Sequence, residues 1–240
     1  MNRIFKSEIL KLKNSENNFT SVFILITLCL FSFFLMGYIN FFFSTIFWWE
    51  NIFYILLISL IIYNDKKREK KAGNYQNILT GNIKKIFFSK VFVCILYSAI
   101  INYILFFIVF LISDYLNIDY VNFFITFLGA TFIFINIIWI IPFIYLISEY
   151  INQILLFLIN FFICIFIAPF IANSKFYFIF PYTYIYRIGL NFFNIKPSGE
   201  ILSNLNISYF DIIITTFLSI LIFIILLILA SKKYCKSVKY

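Results

Sequence analysis

DKKREKKAGNYQNILTGNIKKIFFSK, residues 65–90, carries eight of the chain's nineteen basic residues and lies between long apolar runs. Lys66, Lys67, Arg68, Lys70 and Lys71 would each cost about 2.5–3.5 kcal/mol at a bilayer centre, together more than about 12. An apolar span gains only about 0.3–0.6 kcal/mol per favourable residue. The stretch is therefore expected to stay in water, while the sequence on either side crosses a membrane.

Composition agrees. Hydrophobic residues make up 63% of the 240 and charged residues only 12%, and mean hydropathy is +0.99. So few charges cannot cover a soluble fold of this size, which makes the expected class an all-α polytopic membrane protein. The net charge of +9 sits beside the apolar runs. It therefore reads as topology and attraction to anionic head groups rather than as nucleic-acid binding.

About 20 apolar residues cross a bilayer. Charge-free windows place six spans at about 19–39, 44–63, 91–113, 121–147, 151–173 and 212–230, the first two joined by a polar turn at 37–40. The first run is too long for a signal peptide and is read as retained. Arg3, Lys6, Lys11 and Lys13, the eight residues of the 65–90 loop, and Lys232, Lys233, Lys236 and Lys239 put sixteen of nineteen cations on one side. The positive-inside rule then predicts both termini in the cytosol. Ile4, Phe5, Ile9 and Leu12, flanked by Arg3, Lys6 and Lys13, predict an amphipathic helix lying on the inner leaflet, with a frayed charged tail as the alternative.

Catalytic chemistry is poorly provided for. The chain has no histidine, no C-x-x-C, no nucleotide-binding P-loop and no G-x-S-x-G or H-E-x-x-H. Cys29, Cys94 and Cys164 lie in apolar runs and Cys235 in the basic tail, which supports neither a metal site nor a disulfide framework. The chain is not expected to be an enzyme or to bind a cofactor, and energy for any pumping must come from a partner.

Three segments invite function. Within 71–81, Tyr75, Ile78 and Leu79 share one face of a two-turn helix that Asn74 can cap and Gly81 can end. That helix either docks into a partner or lies flat on lipid. Glu50 falls within the outer leaflet of the second span rather than at its edge, where a carboxylate defaults to a functional hypothesis; Trp48 and Trp49 before it suggest instead an interfacial aromatic belt. Residues 173–211 mix Tyr177, Phe180, Tyr182, Tyr184 and Tyr186 with Pro181, Arg187 and Pro197, a pattern for short helices that dip in from the outer face and return. Asn160, Pro169 and Pro142 either kink helices or pack against neighbours.

This layout resembles an ABC-2 type permease, and as such a single permease domain over 1–240. Three patches, EKKAGNYQNILTG (69–81), WIIPFIYLISEYIN (139–152) and PYTYIYRIGLNFFNIKPSG (181–199), resemble the permease subunits of lantibiotic-immunity ABC transporters. Ser198 departs from the Asn expected before Gly199. The resemblance implies a second permease subunit, copy or relative, and a cytosolic ATPase dimer that holds ATP and Mg. Gly73, Asn74, Tyr75, Gln76, Asn77, Ile78 and Leu79 would form the coupling helix, and Glu50, Arg187, Pro181, Pro197 and Gly199 would shape the outer gate. The cargo would be a cationic antimicrobial peptide at a bacterial plasma membrane. An exporter of another amphiphile, such as a drug or lipid-linked glycan, and a non-transporting immunity or scaffold protein remain as alternatives.

Overall fold

The computed structural model describes residues 2–13, 16–71, 83–116, 118, 122–148, 150–202 and 208–237. Among them six helices are long and apolar enough to cross a membrane, Asn17–Met36, Phe41–Glu69, Ile83–Tyr115, Phe123–Ile147, Ile154–Ala172 and Tyr209–Lys236. These match the six expected spans. The expected coupling residues Gly73 to Leu79 lie outside the described residues.

Helix α1 (Asn2–Lys13) precedes α2 (Asn17–Met36). In α2, Ser21, Ile24, Leu25, Leu28 and Ser32 recur at helical spacing and are buried, while Val22, Phe23, Ile26 and Leu30 face outward. Gly37, at φ 68°, ends α2 with its N–H on the Phe33 carbonyl. The second span is built from α3 (Phe41–Trp48), a π turn (Trp49–Phe53) and α4 (Tyr54–Lys71). Next comes α5 (Ile83–Tyr115), whose 33 residues reach about 50 Å and overshoot a hydrocarbon core of about 30 Å.

The fourth span bends. Helix α6 (Phe123–Ile137) starts on Asn122, whose side chain accepts the Phe124 N–H, and gives way at Ile138–Trp139 to α7 (Ile140–Ile147). Pro142 explains the break, because its ring would clash with the Ile138 carbonyl four residues back. The fifth span repeats the device: α8 (Gln153–Phe162), a π turn (Ile163–Ile167) and α9 (Ala168–Ala172), with Pro169 just past the widened turn.

A short helix, α10 (Thr183–Phe193), lies between the fifth span and the last, α11 (Tyr209–Ser237). At eleven residues, about 16 Å, α10 cannot cross. It is nevertheless buried along most of its length, as non-spanning backbone at membrane depth must be. The contact with α6 is very close: a Cβ on Gly129 would stand 2.2 Å from the Phe193 ring.

The amphipathic α1 packs differently from the expectation. Phe5 meets Phe92 of α5 with ring centres 5.5 Å apart, but Ile9 is exposed and Glu8 is buried. The buried face is therefore partly acidic, and the reason lies in the charge cluster described below.

A buried carboxylate beneath a re-entrant helix as candidate functional site

The π turn of the second span is held by its aromatic residues. Trp49, wholly buried, donates Nε1–H to Asn102 Oδ1 at 2.9 Å, and Asn102 in turn donates to the Ala130 carbonyl at 3.1 Å. Tyr54 stacks on Trp49 at 4.8 Å and donates to the Ser98 carbonyl at 3.1 Å. An interfacial belt would leave Trp49 wet at one edge. Here it is a clamp between α3, α5 and α6, which corrects that expectation for Trp49.

The clamp fixes Glu50. Counted from Phe41 it lies about 14 Å along the helix, near half the depth of a hydrocarbon core, and it is 1% exposed. Its carboxylate rests on the backbone of Gly189 in α10, where an added Cβ would stand 2.4 Å from Oε1. Oε2 has no hydrogen-bond partner, and neither polar atom of the neighbouring Asn51 has one. A π turn widens the backbone at this point and is a frequent device at functional sites. The two π turns touch each other, and α10 contacts the first. Tyr186 of α10 donates its hydroxyl to the Cys164 carbonyl of the second.

Arg187 belongs to a different group. It reaches Asp211 Oδ2 at 3.3 Å, donates to the Ser174 carbonyl at 3.3 Å and lies 4.1 Å from the centre of the Tyr177 ring. Tyr177 donates to Asp211 Oδ1 at 2.7 Å. Beside that anion and partly buried, the phenol is pushed up to about 12, chiefly by desolvation. The group fastens α10 to the head of α11, so Arg187 and Glu50 do not meet.

Pro181 precedes the first turn of α10. Thr183 there donates to the Tyr177 carbonyl at 2.5 Å and Tyr184 to that of Phe178 at 2.8 Å. Tyr182 donates to Asn160 of α8, which gives that intramembrane asparagine a partner. Pro197 and Gly199 form a tight hairpin turn: the Gly199 N–H meets the Lys196 carbonyl at 2.8 Å, and the Lys196 N–H meets that of Glu200 at 2.8 Å. Gly199, at φ 87°, supplies the left-handed residue that a three-residue hairpin loop needs, and Ser198 sits at a position open to most residues. A Cβ on Gly199 would stand 3.5 Å from the Phe47 ring of α3.

The end that carries the basic loop holds a second cluster. Lys90, counted among the cations expected in water, is 3% exposed. It pairs with Glu69 and, at 3.4 Å, with Asp65. Tyr145 donates to Asp65 at 3.4 Å and Tyr234 to Glu69 at 3.3 Å. Arg68 bridges Asp65 at 2.9 Å and the Lys11 carbonyl of α1, where Lys11 also pairs with Glu8. Helices α1, α4, α5, α7 and α11 are thus tied where α4 ends and α5 begins. The free cysteines and the described acidic residues form no metal-binding group.

Reading the sequence missed Gly189, Gly129, Asn102, Asp211 and the burial of Lys90. Only Asp211 left a usable signal, as the single acid at the head of the last apolar run. Compared with known proteins, the chain matches no family model, no curated protein and no solved structure.

Proposed function

We propose that this chain is the permease subunit of an ABC transporter that expels lantibiotic-like cationic peptides from the membrane and so gives immunity to them. The observation that carries the reading is the placement of Glu50: an acidic side chain buried within the second apolar helix, against a helix too short to span. An amphipathic peptide buries its apolar face about 5–10 Å into the interface. An acidic side chain just below that depth, ionised once a cation pairs with it, would favour cationic cargo over neutral drugs. The three patches that resemble lantibiotic-immunity permeases point the same way. ATP and Mg belong to a partner ATPase dimer that meets residues 73–79, and a second permease subunit completes the pathway. The charge asymmetry supports cytosolic termini, and the resemblance to lantibiotic-immunity permeases favours a bacterial plasma membrane.

Co-expression with the ATPase in a sensitive strain tests this. Tolerance to a lantibiotic is expected to rise with little change for small hydrophobic drugs, and Glu50→Gln is expected to lose most of the protection while ATPase copurification is unchanged. Resistance to drugs without resistance to peptides would favour a general amphiphile exporter. Protection that survives an inactive ATPase would favour a binding protein that does not transport.

A further inference from the structure

The end bearing the basic residues of α4 has a concave feature about 20 Å or more along the second span from Glu50. Tyr63, Lys66, Lys67 and Lys71 of α4 face Ser148, Ile151 and Asn152, at the junction of the fourth and fifth spans, across an open cleft of about 380 Å³. Lys67 and Lys71 are one helical turn apart and exposed, so both ammonium groups reach the same face and repel each other there. An anion between them removes that repulsion. Lys67 Nζ stands 5.7 Å from the centre of the Tyr63 ring, whose residue is itself exposed.

The cleft has an apolar continuation. From its edge the fifth span presents Ile154, Leu155, Leu158 and Phe162 outward, about 12 Å of helix, and α8 packs against α4. A cationic mouth that opens onto an apolar track matches a molecule with an anionic head and a hydrocarbon tail. A soluble anion gains nothing from the track, and an acidic protein surface would have to enter hydrocarbon to use it. Basic pockets between spans at the positive side of a membrane are recurrent sites for anionic lipid heads.

We propose that this cleft is a specific site for an anionic phospholipid of the leaflet at the basic end. Lys67 and Lys71 hold the phosphodiester, Ser148 and Asn152 form a polar wall, and one acyl chain follows the fifth span. The proposal is independent of the transport reading.

The test uses the purified full chain in neutral detergent, titrated with dioleoylphosphatidylglycerol and read by its thermal unfolding midpoint. Saturable stabilisation is expected, with little from dioleoylphosphatidylcholine or inorganic phosphate. Each surface lysine contributes about a fivefold change in binding, so Lys67→Gln/Lys71→Gln is expected to raise the half-saturating lipid concentration about twentyfold or more. Lys84→Gln/Lys85→Gln removes the same charge from exposed positions outside the cleft and is expected to leave it unchanged. Equal weakening by both double variants would overturn the proposal in favour of diffuse surface attraction. Equal stabilisation by phosphatidylcholine or by inorganic phosphate would overturn it as well.

Discussion

Gly189→Ala probes the contact on which the candidate site rests. An alanine Cβ there would stand 2.4 Å from Glu50 Oε1 and 3.1 Å from both Cδ and Oε2, against 3.4–4 Å for ordinary contact. The carboxylate is buried, so it or α10 must move by about 1 Å. Overpacking of that kind costs about 1–3 kcal/mol, while alanine gains about 0.8–1.0 kcal/mol over glycine in a helix interior. The net loss in the parent is about 1 kcal/mol. In a Glu50→Ala background the obstacle is gone, and only the helix-propensity gain of about 1 kcal/mol remains. The double-mutant cycle should therefore return a coupling of about 1–3 kcal/mol. Thermal unfolding in detergent reads it at about 2–4 °C per kcal/mol. Gly189→Ala should lower the midpoint by a few degrees in the parent and raise it in the Glu50→Ala protein. The same shift in both backgrounds would refute the packing of Glu50 on α10.

Breaking the Arg187–Asp211 pair with Arg187→Gln or Asp211→Asn should destabilise by about 1–3 kcal/mol, since the remaining group stays partly buried; the double variant should recover part of the loss in the same unfolding assay. Lys90→Met removes the cation paired with Glu69 and leaves Asp65 to Arg68, which should cost about 3–5 kcal/mol, seen as loss of the monodisperse peak in detergent chromatography, whereas Lys90→Met/Glu69→Gln should restore it. For topology, a membrane-impermeant thiol reagent added to intact cells should modify a cysteine placed at the exposed Tyr38 and spare Cys235; labelling of Cys235 would reverse the orientation.

The helical spans were legible because each is a contiguous apolar run whose ends carry charge or a turn residue, and a bilayer reads little else. What packs inside was less legible. Glu50 was visible as an anomaly, but its depth depended on where the second span begins, and that depends on Gly37 ending α2 rather than on any apolar count. Trp49 misleads in sequence because a tryptophan beside a carboxylate looks interfacial; only Asn102, 53 residues away, makes it a buried clamp. Lys90 misleads for the same reason. Its charge belongs to the basic loop by count, yet Asp65 and Glu69 on the preceding helix take it inward. Helix α10 was expected only as short helices within 173–211, because an aromatic-rich stretch interrupted by prolines has no single period. Long-range pairing decides each of these, and a single chain's local pattern does not encode it.

The two glycine notches and the two π turns serve one physical requirement. A helix that enters a membrane without crossing brings end groups that hydrocarbon cannot satisfy. Here α10 meets that demand by sinking into protein: Phe193 lies over Gly129, Gly189 over Glu50, and the Tyr186 hydroxyl takes a carbonyl of the fifth span's π turn. Tyr182 takes Asn160, and Arg187 takes Asp211. Each contact satisfies a polar group or removes a side chain that would hold the helices apart. Glu50 is one of the exceptions, with Asn51 beside it. Its Oε2 has no partner, although a methionine of similar volume would fill the place without a polar group to desolvate. Stability alone does not select a carboxylate in that position, and an intramembrane acid that the surrounding fold does not need is a functional hypothesis by default. The role proposed for it, drawing a cationic cargo inward, uses a buried carboxyl oxygen that has no hydrogen-bond partner.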